Sequence, residues 1–142
     1  MSEFVVQFAV VVEDDPIIMM DAVCILEDAG FSVHEAFDGD EAIVLLGEHW
    51  GSTTLLFSDV DMPGSVNGFA LARHVDKHWP SIEIVIASGH VLPAENDMPE
   101  RATFVAKPFN RRMIHEHLVQ ILPDHKKPDV LKDVCRARKP WF

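Results

Sequence analysis

"LLFSDVDMPG" (Leu55 to Gly64) runs apolar residues straight into Asp59, adds a second carboxylate at Asp61, and turns at Met62-Pro63-Gly64. Such a run reads as a strand buried on both faces. Carboxylates at the end of a buried strand are costly unless something uses them. Both the fold and the chemistry follow from asking what else arrives at that strand end.

Upstream, "FVVQFAVVV" (4–12) is a second Val-rich run that ends in Glu13, Asp14 and Asp15. "DDP" then offers a helix cap with Pro16 in the first turn, and Ile18, Ala22, Ile25 and Ala29 share one helical face before Gly30. "FSVHEA" (31–36) reads as a strand and "DGDEAIVLLGEHW" (38–50) as a helix with Ala42, Leu45, Leu46 and His49 along one side. Downstream, Phe69, Ala72, Val75 and Trp79 mark a helix closed before Pro80. "IEIVIAS" (82–88) and "TFVA" (103–106) read as strands, and Ile114, Leu118, Ile121 and Leu122 mark a last helix. Between Gly89 and Arg101, Pro93 and Pro99 leave room for only a short helix. Strand and helix therefore alternate about five times, which implies an α/β doubly wound parallel sheet with helices on both faces.

The chain has 142 residues, 48% hydrophobic and 25% charged, with a net charge of −11. One domain fits that length. The acidic balance excludes a nucleic-acid binder built on a basic face. Two cysteines, Cys24 and Cys135, form no disulfide framework and suit a reducing, cytoplasmic location. The apolar N-terminal run is too short for a membrane span and has no signal-peptide layout, so no membrane association is expected.

In a doubly wound sheet, ligands sit beyond the carboxyl ends of the strands. Those ends deliver Glu13, Asp14 and Asp15 from the first strand, Asp59 and Asp61 from the third, Ser88 and then His90 from the fourth, and Lys107 from the fifth. Several carboxylates stay ionised together only with a cation among them, and hard oxygen ligands favour Mg²⁺. A metal-bound phosphate oxygen could accept from Ser88 and pair with Lys107, leaving a strand-end carboxylate as nucleophile. Each piece alone has a plainer reading: an acidic helix start, a turn lysine, a capping serine. The His74/His78 pair reads as a solvated helix face, and Cys24 as a core or half-buried residue.

"VVVEDDP", "LLFSDVDMPG", "IEIVIASGH" and "FVAKPF", in this order and spacing, resemble the receiver domain of two-component response regulators over residues 4–122. The resemblance implies a flavodoxin-like fold with strand order 2-1-3-4-5. It implies Asp59 as phosphoacceptor, and Mg²⁺ held by Asp14, Asp59 and the backbone carbonyl of Asp61, with Glu13 acting through water. Lys107 would be the active-site lysine, followed by a cis Lys107–Pro108 bond. Ser88 and Phe104 would be the switch residues, with Asp61 and His90 tuning the rate of phosphate loss. Partners would be a sensor histidine kinase or phosphotransfer protein, and a downstream protein reached through the face of the fourth helix, fifth strand and fifth helix. The expected function is a phosphorylation-driven switch without a DNA-binding output domain, and not a turnover enzyme.

"DVDMP" also resembles the Asp-x-Asp motif of haloacid-dehalogenase-type phosphatases, but that motif belongs on a first strand, and here an acid pair precedes it. The remaining segment, 123–142, is basic: Lys126, Lys127, Lys132, Arg136, Arg138 and Lys139 face only Asp124, Asp129 and Asp133. A short helix from Pro128 would carry Val130, Leu131, Val134 and Cys135 as an apolar stripe. With the terminal Trp141-Phe142, it is expected to serve as a docking arm in a homodimer, separate from the receiver domain of 1–122.

Overall fold

The computed structural model of the protein describes residues 6–89, 92–94 and 96–132. Five strands, β1 (Phe8–Val12), β2 (Ser32–Ala36), β3 (Thr53–Asp59), β4 (Glu83–Ser88) and β5 (Thr103–Ala106), form one parallel sheet in the order β2-β1-β3-β4-β5. This is the flavodoxin-like order expected from the sequence. Four helices connect or follow the strands: α1 (Pro16–Asp28), α2 (Gly39–His49), α3 (Gly68–His78) and α4 (Arg111–Ile121). Each begins at a side chain that accepts from its first turn: Asp15, Asp38, Asn67 and Asn110.

The pleat divides the strand residues between two cores. Ala9, Val11, Leu55, Phe57, Val85, Ala87 and Val105 pack with Leu26 of α1 and Leu118 of α4. Their alternates Val10, Val12, Leu56, Ile84 and Ile86 pack with Leu46 of α2 and Val75 of α3. Nearly all are completely buried, which is why the central strands read as continuous apolar runs.

Three regions differ from the expectations. Among the described residues between β4 and β5 no helix occurs; residues 90, 91 and 95 of this stretch lie outside them. The connection instead turns through Asp97 N–H to the Ala94 carbonyl and Ala102 N–H to the Pro99 carbonyl. It is tied to α3 by Arg73, which donates to the Asp97 carbonyl, and by Arg101, which pairs with Asp76 and donates to the Ile82 carbonyl. These guanidinium contacts hold the described part of the connection against α3.

Packing also continues past residue 122. Lys126 pairs with Glu83 and donates to the Ser81 carbonyl, at the amino-terminal edge of β4. A helical turn covers 129–132, as Pro128 suggested. Its Leu131 is fully buried in the α1/α4 core, so this part of the apolar stripe is used within the chain itself. Gly30, at φ +105°, ends α1 where a Cβ would lie 2.5 Å from Pro128 Cβ; only glycine permits both the left-handed turn and the approach. Val134, Cys135, Trp141 and Phe142 lie outside the described residues.

Cys24, expected to be in the core or half-buried, is exposed on α1. None of the described helices is long and apolar enough to cross a membrane.

Candidate functional site: an acidic cleft over the carboxyl ends of the strands

Glu13, Asp59 and Lys107 continue the odd-numbered series 9–11, 55–57 and 105, which faces the α1/α4 core. The pleat therefore carries all three side chains to the same side of the sheet as their strands end. Lys107 Nζ donates to Glu13 Oε1 at 2.9 Å and to Asp59 Oδ1 at 3.0 Å. Asp14 completes a group in which one carboxylate oxygen from each of Glu13, Asp14 and Asp59 lies within 4.8 Å of the others. Around them opens a cleft of about 470 Å³ lined by Ile18, Asp21, Asp59, Asp61, Ser88, Lys107 and Phe109 among others. The Lys107–Pro108 peptide bond is cis, as expected.

The three acids at the start of α1 separate by role. Asp15 is spent on the helix, its Oδ1 accepting from the Ile17 and Ile18 amides. Glu13 is buried, accepting from Lys107 through one oxygen and from the Asp15 amide through the other. Asp14 is exposed at the rim. For Asp15 the plain reading, a helix start, is the correct one.

Burial pushes the Glu13 carboxyl above its ordinary range, against the hydrogen bonds from Lys107 and the Asp15 amide. Burial likewise raises Asp59, opposed by Lys107 and by the Val60 amide, with the Asp14 charge adding to the rise. For Lys107 burial acts downward, but the hydrogen bonds and charges of Glu13 and Asp59 outweigh it, and its pKa is raised. One ammonium thus serves two buried carboxylates, with a third carboxylate alongside. This donor set fits a hard divalent cation: all oxygen, excess negative charge, and an opening to solvent.

Ser88 is buried at the end of β4, where it pairs in register with Ala106. Phe104 pairs with Ile86 and lies half-buried against the α2/α3 core. Phe104 follows the even-numbered series of its strand and faces the side opposite Glu13, Asp59 and Lys107, whereas Ser88, at the strand end, lines the cleft with Asp59 and Lys107. Asp61 is exposed at the mouth of the cleft. His90 lies outside the described residues.

Gly68 escaped notice in the sequence. Its amide donates to the Val60 carbonyl, and a Cβ there would lie 2.1 Å from the Asp59 carbonyl oxygen. The first residue of α3 therefore supports the end of β3 directly. A glycine nine residues after Asp59 carries no signal of this contact by itself. The His74/His78 pair stacks at 4.1 Å between ring centroids, with His78 Nδ1 at 2.9 Å from the His74 carbonyl. Among the described residues the only group of three or more possible ligands is the one at the cleft.

A five-stranded sheet in this order, with an acid pair, an acid and a lysine at three strand ends, is the arrangement of a two-component signalling receiver. The sequence model of the response regulator receiver domain matches residues 9–119, and the chain belongs to that family. It is 32% identical over 114 residues to the sensor kinase CckA of Brucella abortus (strain 2308), covering 78% of this chain and 12% of that protein. It is also 32% identical over 104 residues to the nitrogen assimilation regulatory protein NtrX of Azorhizobium caulinodans, covering 70% of this chain and 22% of that protein. The chain thus spans less than a quarter of either relative's length. The receiver domain of the hybrid histidine kinase CckA superposes with a TM-score of 0.70 at 29% identity, over 82% of this chain and all of that one. Receivers are signalling switches rather than turnover enzymes, and nothing in the sheet order or the relatives supports the haloacid-dehalogenase reading.

Proposed function

We propose that this receiver accepts a phosphoryl group on Asp59 from a histidine phosphodonor, a sensor kinase or phosphotransfer protein, and signals through protein contacts. The observation that carries the reading is the position of Lys107 Nζ, 2.9 Å from Glu13 and 3.0 Å from Asp59, beside Asp14. Asp14, Asp59 and the Asp61 carbonyl would hold Mg²⁺, with Glu13 reaching it through water. When bound, the ion supplies positive charge to the transferring phosphoryl oxygens.

The protein's own groups do the rest. An Asp59 carboxylate oxygen attacks phosphorus as the phosphorus–nitrogen bond to the donor imidazole breaks, and the freed nitrogen keeps the bond's electron pair. Lys107 stays protonated throughout, since its pKa is raised, and offsets charge on the new phosphoryl group. Ser88, on the neighbouring strand end, would donate to a phosphoryl oxygen. Its movement and that of Phe104 on the adjoining strand would then bias β5 and the β4–β5 connection between two packings. Asp61, at the mouth of the cleft, would set phosphoryl lifetime by repelling or orienting the attacking water.

The test is incubation with Mg²⁺ and acetyl phosphate. One acyl phosphate should form per chain, map to Asp59 and be absent from Asp59→Asn. Phosphorylation at another residue, or sustained turnover of a phosphate monoester, overturns the reading.

A further inference from the structure

α3 closes on two histidines one turn apart, and their rings lie together. His74 and His78 stack with ring centroids 4.1 Å apart and planes 26° from parallel. A spacing of four residues sets them on one face of the helix. The sequence pattern alone reads as a solvated face, but His74 is half-buried. The ring of Trp79 packs against both, its centroid 5.6 Å from that of His74 and 5.9 Å from that of His78.

The tautomer of His78 follows from its neighbour. Its Nδ1 lies 2.9 Å from the His74 carbonyl oxygen, and a carbonyl can only accept. Nδ1 therefore carries the proton of the neutral ring, and Nε2 keeps a lone pair. Metal-binding histidines are commonly held in this way, one ring nitrogen donating to a backbone carbonyl and the other free to ligate. Burial and the charges of His78 and Lys77 lower the His74 pKa, so that ring too is neutral at physiological pH. A cap for the last helical turn would explain the His78 Nδ1 bond, but not a second imidazole laid against it. Among the described residues no third possible ligand completes a group with the pair, and the one acid of α3, Asp76, is engaged by Arg101.

We propose that His74 and His78 form a two-ligand site for a late first-row divalent ion, Cu²⁺, Ni²⁺ or Zn²⁺, with water in the remaining positions. The rings already lie so close that small side-chain rotations bring a nitrogen of each to the ~2.0–2.1 Å of a zinc–imidazole bond. Imidazole nitrogens suit these ions and not Mg²⁺, whereas the all-oxygen cleft suits Mg²⁺. The two sites are therefore separable by the choice of ion. Bridging 74 and 78 would cross-link the last turn of α3, the helix to which Arg101 and the Asp97 carbonyl tie the β4–β5 connection. Neither histidine belongs to the cleft, so the site stands whether or not Asp59 accepts a phosphoryl group.

The test is titration of the full-length chain with Cu²⁺, Ni²⁺ and Zn²⁺ in saturating Mg²⁺, which keeps the carboxylates of the cleft occupied. Calorimetry should show a tightest site of one ion per chain, with Cu²⁺ bound more tightly than Ni²⁺ or Zn²⁺. Cu²⁺ and Ni²⁺ quench indole fluorescence, and the quenched signal should be missing from Trp79→Phe. His74→Ala and His78→Ala should each weaken binding at least several-fold, while His49→Ala leaves it unchanged. Zn²⁺ should raise the melting temperature of the unaltered chain and of neither histidine variant. Each protein is its own control in that comparison, so a variant less stable at the outset still answers. Parental affinity in either the His74 or the His78 variant overturns the proposal. Loss of binding in His49→Ala overturns it as well, since the ion would then sit at the His34–His49 stack.

Discussion

Two lysines, one at each end of the sheet, have opposite surroundings. At the carboxyl edge, Lys107 faces both Glu13 and Asp59, whose side chains are 6% and 8% exposed. At the amino edge, Lys126 faces a single carboxylate, Glu83, and the Ser81 carbonyl, with both charged side chains near a fifth exposed. The second arrangement is balanced and wet. The first leaves more negative charge than one ammonium can neutralise, in a place where burial penalises charge, and both carboxyls are pushed upward. The Mg²⁺ proposed for this site would relieve the imbalance.

The sharpest way to break the contrast is to remove each lysine's local support, and the largest effect is expected at the carboxyl edge. Lys107→Ala leaves two buried carboxylates without their counter-charge. Removing one partner of a buried pair costs about 3–5 kcal/mol, and the opening to solvent should keep the loss near the lower figure. Urea unfolding at neutral pH should register it. The deficit should shrink as pH falls toward the ordinary carboxyl range, because Glu13 and Asp59 can then take up protons in place of the lost lysine. A deficit constant with pH would mean that Lys107 contributes through packing of its chain and not through charge.

The amino edge is held mainly by apolar contact. Leu131→Ala removes a fully buried side chain from the α1/α4 core and should cost about 2–5 kcal/mol. It should leave the yield of acyl phosphate at Asp59 unchanged in the fraction that remains folded. A variant as stable as the parent would make 123–132 an appendage instead of part of the domain.

This contact also marks how far the sequence could be read. Glu13, Asp59 and Lys107 were legible because each ends an apolar run, and the twofold period of a strand carries such residues to one side of a parallel sheet. Asp15 was legible as a cap because "DDP" sets an acid directly before Pro16 in the first helical turn. The connection from β4 to β5 was obscure. Its anchors, Arg73 to the Asp97 carbonyl and Arg101 to Asp76, join residues about two dozen apart, and no periodicity encodes that pairing. Leu131 belonged to a stripe that suited a partner as well as it suited α1. His115 shows the same limit: it is buried, with Nε2 at 2.9 Å from the Ile25 carbonyl, in a contact spanning from α4 to α1.

A smaller effect, opposite in sign, should follow Asp59→Asn. A carboxyl whose pKa is raised on folding binds its proton more tightly in the native state, so ionising it opposes folding. The cost is absent well below its ordinary value of 3.8 and grows as pH rises through the raised one. The amide should therefore stabilise the fold near neutral pH. The gain should disappear in acid. Mg²⁺ should raise the melting temperature of the parent more than that of the variant, since the ion relieves the same repulsion. If the variant is less stable than the parent at neutral pH, the Lys107–Asp59 attraction outweighs the burial penalty and the two ends of the sheet differ less than proposed.

The smallest effect belongs to Lys126→Met at the amino edge. Its partner Glu83 can turn toward water, and the methionine retains most of the apolar stem that packs beneath the charge. A partly exposed pair of this kind is worth about 0.2–1 kcal/mol, and the loss should diminish as salt is added. Acetyl phosphate should label Asp59 at the parental rate, because β4 carries Glu83 and Ser88 at opposite ends and Lys126 touches only the first. Altered labelling would mean that strain at the start of β4 reaches Ser88 along the strand. In that event the amino edge would be coupled to the switch, and its balanced lysine would belong to the signalling machinery after all.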